Sequence, residues 1–169
     1  MAFDAAATFR GKCLNDSIIA GPALQPTLAA VITRFRAHEA AWASYVEAMF
    51  SRFRLSEEDA NYFCFPWGKE KAPSPDICRI DRLPFEASCS PLVAIYALRR
   101  IMEDAGASDP IISAVRESMY VDDYLNSSSS VDAAVTPRTS FALAAAYIYA
   151  TWKKGPRPLS SETVYSTPI

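Results

Sequence analysis

Two adjacent carboxylates, Asp122 and Asp123, follow an aromatic and a β-branched residue in the run Met119-Tyr120-Val121-Asp122-Asp123-Tyr124-Leu125. The flanks read as two short strands meeting at Val121-Asp122-Asp123, a tight β-turn. Such a hairpin tip holds two acids close together, where they repel each other and desolvate poorly until a cation joins them. Hard divalent ions such as Mg²⁺ take oxygen ligands of this type, and phosphoryl transfer uses such ions. The simpler reading is a solvated acidic turn, so the pair gains meaning only from its surroundings.

Those surroundings carry two further blocks. Leu83-Pro84-Phe85-Glu86-Ala87-Ser88-Cys89-Ser90-Pro91 lies upstream and is followed by an apolar-periodic run from Leu92 to Met102. Earlier still, Ala43-Ser44-Tyr45-Val46-Glu47-Ala48-Met49-Phe50 reads as a strand running into a helix start. In order and spacing these segments resemble motifs A, B and C of the palm domain of reverse transcriptases, and most closely those of the BEL/Pao group of retrotransposons. Phe65-Pro66-Trp67 extends the resemblance between the first two blocks. Phe3-Asp4-Ala5, Gly11-Lys12, Leu14-Asn15-Asp16 and Gly21-Pro22-Ala23-Leu24 extend it toward the start, so that it covers roughly residues 2–135.

The resemblance implies an RNA-directed DNA polymerase working by two metal ions. One Mg²⁺ (or Mn²⁺) would activate the primer 3′-hydroxyl and the other would hold the incoming triphosphate. It assigns Asp122 and Asp123 to part of the metal cage as catalytic residues. It places Phe50 at the steric gate, where an aromatic ring excludes a ribose 2′-hydroxyl, and Leu83, Pro84 and Phe85 in the nucleotide-binding loop. The implied partners are an RNA or DNA template-primer and a dNTP. Read by itself, Phe50 is an ordinary core phenylalanine beside Met49.

Two positions depart from the family's pattern. Tyr45 stands where motif A carries the aspartate that bridges both metals, and a phenol with a pKa near ~10 is a poor Mg²⁺ ligand at neutral pH. Glu86 stands where motif B carries glycine, adding a Cβ and a negative charge where a triphosphate would lie. Either change alone is expected to cripple polymerisation. Glu47 would share a strand face with position 45, but about 6–7 Å along it, too far to take over the bridging place. The expectation is therefore a catalytically impaired palm. The alternatives are a non-catalytic RNA- or DNA-binding module and a polymerase active only within a longer polyprotein.

Composition bounds these readings. Half of the 169 residues are apolar and 12% aromatic, which predicts a folded core rather than disorder. The net charge of −2 is unusual for a grip on a phosphate backbone. Arg34/Arg36, Arg52/Arg54 and Arg99/Arg100 read mostly as solvated faces, and Lys69 and Lys71 flank a Pro-rich turn where they could touch template. Cys13, Cys64, Cys78 and Cys89 form no C-x-x-C pair, and His38 is the only histidine. That speaks against a zinc site of the usual type and against a Ser-His-Asp triad drawing on any other histidine. Free thiols and the lack of a basic-then-apolar leader predict an intracellular location, cytoplasmic or nuclear, with no membrane partner.

The elements that would position these groups can be read coarsely. Residues 2–22 look irregular, and Leu24 to Phe35 has helical spacing. Ala40 to Phe50 is the motif A strand and its exit, and Ser56 caps an acidic helix start. Tyr62–Trp67 and Ile77–Phe85 read as one hairpin, with Pro66 at an edge. Ser90 is expected to cap a helix reaching about Glu103, with Pro91 at its first position, and Asp109-Pro110 to open a shorter helix to about Glu117. This order predicts an α+β fold: a palm-like antiparallel sheet with helices packed on one face, an incomplete reverse transcriptase fold spanning residues 1–135. Residues 136–169 read as a divergent tail with a disordered end. Its apolar run, 141–152, is too short to span a bilayer and is expected to be buried or to self-associate.

Overall fold

A computed structural model describes residues 3–68, 74–104, 106–135 and 141 of the chain. Among them the fold is mixed α+β, with small antiparallel sheets and helices. After a 3₁₀ turn over Leu14–Ser17, helix α1 spans Leu28–Phe35. It starts four residues later than its periodicity predicts. Pro26 disfavours helical backbone at Gln25, and Thr27 then caps, its Oγ1 accepting from the Ala30 N–H at 3.3 Å. Strand β1 (Ala40–Tyr45) follows, then a 3₁₀ turn (Phe50–Arg52) and α2 (Glu57–Ala60). Ser56 caps α2 as expected, accepting from the Asp59 N–H at 3.0 Å.

Strands β2 (Cys64–Trp67) and β3 (Asp76–Arg79) form the expected antiparallel hairpin, with Pro66 opposite Ile77. β3 is much shorter than the predicted strand over 77–85. Past Ile80 the chain changes partner: the Leu55 N–H donates to the Asp81 carbonyl and the Leu83 N–H to the Phe53 carbonyl, each at 3.0 Å. Helices α3 (Ser90–Asp104) and α4 (Asp109–Ser118) come next, followed by β4 (Met119–Tyr120) and β5 (Asp123–Ser128). Ser90 does not cap α3. It is the first helical residue, is buried, and its hydroxyl donates to the Pro84 carbonyl at 2.6 Å.

The main sheet runs β1-β5-β4, all antiparallel, with Ala40 opposite Ser128 at one end and Tyr45 opposite Asp123 at the other. Its core-facing residues meet Ala94, Leu98 and Met102, which recur every four residues and so share one face of α3. Tyr124 sits at the centre, 1% exposed, stacked between Trp42 (ring centroids 4.9 Å apart) and Phe141 (4.3 Å). Helix α1 is tied to this sheet by the Ser127 hydroxyl, which donates to the Arg34 carbonyl, and to α4 by Arg34 Nη1, which donates to the Glu117 carbonyl at 2.9 Å. A smaller cluster of Ala5, Phe63 and Ala87 joins the N-terminal segment to the loop before α3, with Phe3 edge-on to Phe63.

Among the described residues no helix is long and apolar enough to cross a membrane. Of the apolar run 141–152, only Phe141 lies within them. Lys69 and Lys71 lie outside.

Candidate functional site

The hairpin tip forms as a two-residue loop, Val121-Asp122, because Tyr120 pairs with Asp123 across it. Asp123 is thus the first residue of β5 rather than part of the turn. Val121 has φ +58°, and Asp122 does not share that sign, which is the type II′ pattern that normally takes glycine at the first place. A β-branched residue there is strained by about 1–3 kcal/mol. Two contacts hold it: Val121 packs on the main core, and the Val46 N–H donates to the Asp122 carbonyl at 2.9 Å.

Directly opposite residues on antiparallel strands share a face. Tyr45 on β1, Asp123 on β5 and Tyr120 on β4 therefore form one row, with Tyr45 62% exposed and Asp123 also exposed. Asp122 is half-buried. The strand ends at Tyr45, so Glu47 does not lie on its face, contrary to the strand geometry assumed for it. The backbone turns through Ala48 at φ +50°, and the Glu47 carboxylate faces Arg52 Nη2 at 3.5 Å while its carbonyl accepts from Arg52 Nε at 2.6 Å. Arg52 is only 12% exposed along its side chain, so it is not part of a solvated face.

The loop from Leu83 to Ser88 reaches the same region through one aromatic contact. Phe50, 5% exposed, has its ring centroid 4.6 Å from that of Phe85, which is 56% exposed. Leu83 is in the main core, and Pro84 is buried with its carbonyl engaged by Ser90. Of the loop residues assigned to nucleotide binding, only Phe85 presents its side chain to solvent. Glu86 has φ +67°, the left-handed region that glycine occupies without cost. Asn15 fastens this turn: its Nδ2 donates to the Glu86 carbonyl, and its Oδ1 accepts from the Ser88 N–H, both at 2.9 Å. Asp16 in turn braces the Asn15 segment by accepting from the Cys13 N–H at 2.8 Å, a bond that lowers the Asp16 pKa. In the sequence Asn15-Asp16 is a turn signal as well as part of the resemblance, and neither points to a clamp on Glu86.

Four described non-glycine residues have positive φ, and three of them, Ala48, Glu86 and Val121, lie one in each of the three motif-like segments. The fourth, Arg10, sits in the N-terminal turn.

The hairpin brings two carboxylates, Asp122 and Asp123, to one end of the main sheet. Mg²⁺ is commonly held by one or two carboxylates together with substrate phosphates, and Asp122 and Asp123 supply two. Among the described residues there is no group of three or more His, Cys, Asp or Glu that could hold a metal ion. The residue directly opposite Asp123 on β1 is Tyr45, which brings a phenol and no third carboxylate to this edge. Arg99 Nη2 donates to the Leu24 carbonyl, and burial first, then the neighbouring Arg116, lowers its pKa. Arg99 is thus a second exception to the solvated-face reading.

No protein-family model matches this chain, and no curated protein matches it either.

Proposed function

We propose that this chain is a reverse-transcriptase-like palm region whose nucleotidyl-transfer centre is disabled at two positions. The observation that carries the reading is the register placing Tyr45 directly opposite Asp123, at the open end of a sheet whose hairpin tip holds both aspartates. A carboxylate at position 45 would lie beside the pair and complete a three-acid edge. Strain concentrated at Ala48, Glu86 and Val121 supports it, because left-handed non-glycine residues persist where function once selected the backbone. The Phe50–Phe85 contact supports it too, bringing the gate position against the loop that would carry the nucleotide.

Tyr45 removes the bridging ligand, and Glu86 sets an exposed carboxylate on the loop that would meet a triphosphate. No metal-dependent step is therefore assigned to the chain as it stands.

The test is primer extension on an RNA template with Mg²⁺ or Mn²⁺, comparing the unaltered chain with a Tyr45→Asp, Glu86→Gly double variant. Extension by the variant alone is the expected result. Extension by the unaltered chain overturns the disabled centre. If neither extends, Mn²⁺ titration of the variant decides: paramagnetic broadening centred on the amides of Asp122 and Asp123 keeps the palm reading, and its absence overturns it.

A further inference from the structure

Three side chains stand in one row across the end of the main sheet: Tyr45 on β1, Asp123 on β5 and Tyr120 on β4, Asp123 being directly opposite each tyrosine. Opposed residues on antiparallel strands hold their Cβ atoms about 4.5–5.5 Å apart on a shared face, so two phenol rings flank one carboxylate. Side chains alternate along a strand, and Tyr124 points into the core, so the row lies on the face turned away from α3. Tyr45 and Asp123 are exposed and Tyr120 is half-buried. Two residues along on the same face, Ala43 and Leu125 oppose each other and set a short apolar floor beside the row. Among the described residues no cation lies within ion-pair distance of Asp122 or Asp123. Nor does either tyrosine ring stack on another ring or on a guanidinium there.

We propose that this row binds an alkylated ammonium: the methylated nitrogen of a choline-type molecule or of a modified lysine side chain, the head chemistry being the same. That chemistry separates the ligand from a metal ion. Small divalent cations keep their water and need oxygen ligands, whereas the row sets a single carboxylate between two phenols. A methylated ammonium spreads its charge over its methyl groups, and the faces of aromatic rings attract it together with a carboxylate. Asp123 supplies the counter-charge, Tyr45 and Tyr120 take the methyl groups from either side, and Ala43 and Leu125 lie where an alkyl stem runs. Asp122 adds negative potential from the turn. Each ring contributes little at an open site, so affinity for the head alone is on the order of 1 mM. The inference goes beyond the palm reading, since it needs only the register of β1, β5 and β4. Its failure leaves the primer-extension result untouched.

The test is amide NMR on the ¹⁵N-labelled full chain, with choline chloride exchanged for sodium chloride at constant ionic strength. Separate titrations use the neutral isostere of choline, carbon replacing nitrogen, and a short peptide carrying one trimethyl-lysine. Choline is expected to shift the amides of Tyr45, Tyr120 and Asp123 saturably and to leave those of β2 and β3 in place. Asp123→Asn and Tyr45→Leu are each expected to weaken it about two- to fivefold, with unchanged β2 and β3 amides showing that each variant folds. Tighter binding of the peptide than of choline assigns the ligand to a side chain, and equal or weaker binding assigns it to a free molecule. No saturable shift at these amides with either overturns the proposal. Binding of the isostere as tight as that of choline, or binding that neither substitution weakens, overturns it in favour of a plain apolar patch.

Discussion

Asn15 and Glu86, 71 positions apart in the chain, are joined by a hydrogen bond from the Asn15 side-chain amide to the Glu86 carbonyl. The same side chain accepts from the Ser88 N–H, so one residue of the N-terminal segment holds both ends of a strained turn. Asn15→Ala removes both bonds and is expected to lower unfolding free energy by about 1–2 kcal/mol. Asn15→Asp keeps only the acceptor and should fall between. Urea denaturation checks this, and an Asn15→Ala chain as stable as the unaltered one would refute the clamp.

Glu86→Gly is expected to stabilise the fold by about 1 kcal/mol, because a left-handed backbone with a Cβ costs roughly 1–2 kcal/mol and glycine returns part of that as chain entropy. Glu86→Ala keeps the Cβ and should give no such gain. Equal effects from the two substitutions in chemical denaturation would place the gain in the lost charge instead.

Tyr45→Asp sets two carboxylates directly opposite on neighbouring strands, an arrangement expected to cost about 1 kcal/mol at low salt. Added Mg²⁺ should recover that loss in the Asp variant and leave Tyr45→Asn unchanged, since an ion that binds only the folded chain stabilises it. Thermal melts with and without Mg²⁺ read the difference. Identical Mg²⁺ responses in the Asp and Asn variants would show that no cation site forms at the tip.

Burial pushes the Tyr124 phenol above its ordinary pKa, with the hydrogen bond from Asn126 Nδ2 at 2.9 Å opposing in part. The folded state therefore favours the protonated form. Its contribution is fully present below the unfolded value near ~10 and is lost as pH rises through the higher folded value. Tyr124→Phe should flatten the alkaline fall in stability, whereas Tyr124→Ala should cost about 3–5 kcal/mol at any pH by emptying the stack between Trp42 and Phe141. Unfolding free energy measured from pH 7 upward would show an unchanged alkaline slope in Tyr124→Phe if the phenol carries none of it.

Gly21 and Gly11 both have positive φ, +74° and +76°, but only at Gly21 would a Cβ collide with Leu92 Cδ2. Gly11→Ala should cost about 1 kcal/mol, the backbone penalty alone, and Gly21→Ala clearly more. Equal losses would mean that Leu92 moves aside freely.

Of the hairpins expected from local pattern, the one meeting at Val121-Asp122-Asp123 forms, and the one over Tyr62–Trp67 and Ile77–Phe85 forms only between Cys64–Trp67 and Asp76–Arg79. Boundaries moved where a residue had a non-local partner. Ser90 has every mark of a helix cap, yet its hydroxyl is drawn inward by Pro84, which no spacing rule reveals. The strand over 77–85 breaks because Phe53–Leu55 competes for its second half. At the candidate site, Asp122, Asp123, Tyr45 and Glu86 are visible as residue types. The left-handed backbone at Ala48 and Val121, and the Asn15 clamp, exist only once distant segments meet.

The register between β1 and β5 also governs the order of assembly. Residues 40–45 find their partners at 123–128, and α1 reaches β5 through a bond spanning 93 positions. Closing so wide a loop is slow, whereas the β4–β5 hairpin closes on itself locally. During synthesis, at about 5–20 residues per second, β1 emerges and waits several seconds with Trp42 and an open strand edge unpaired. The interval before Asp123 arrives is when a growing chain is most exposed to pairing with a neighbour, so chaperone demand for this protein should track its rate of translation.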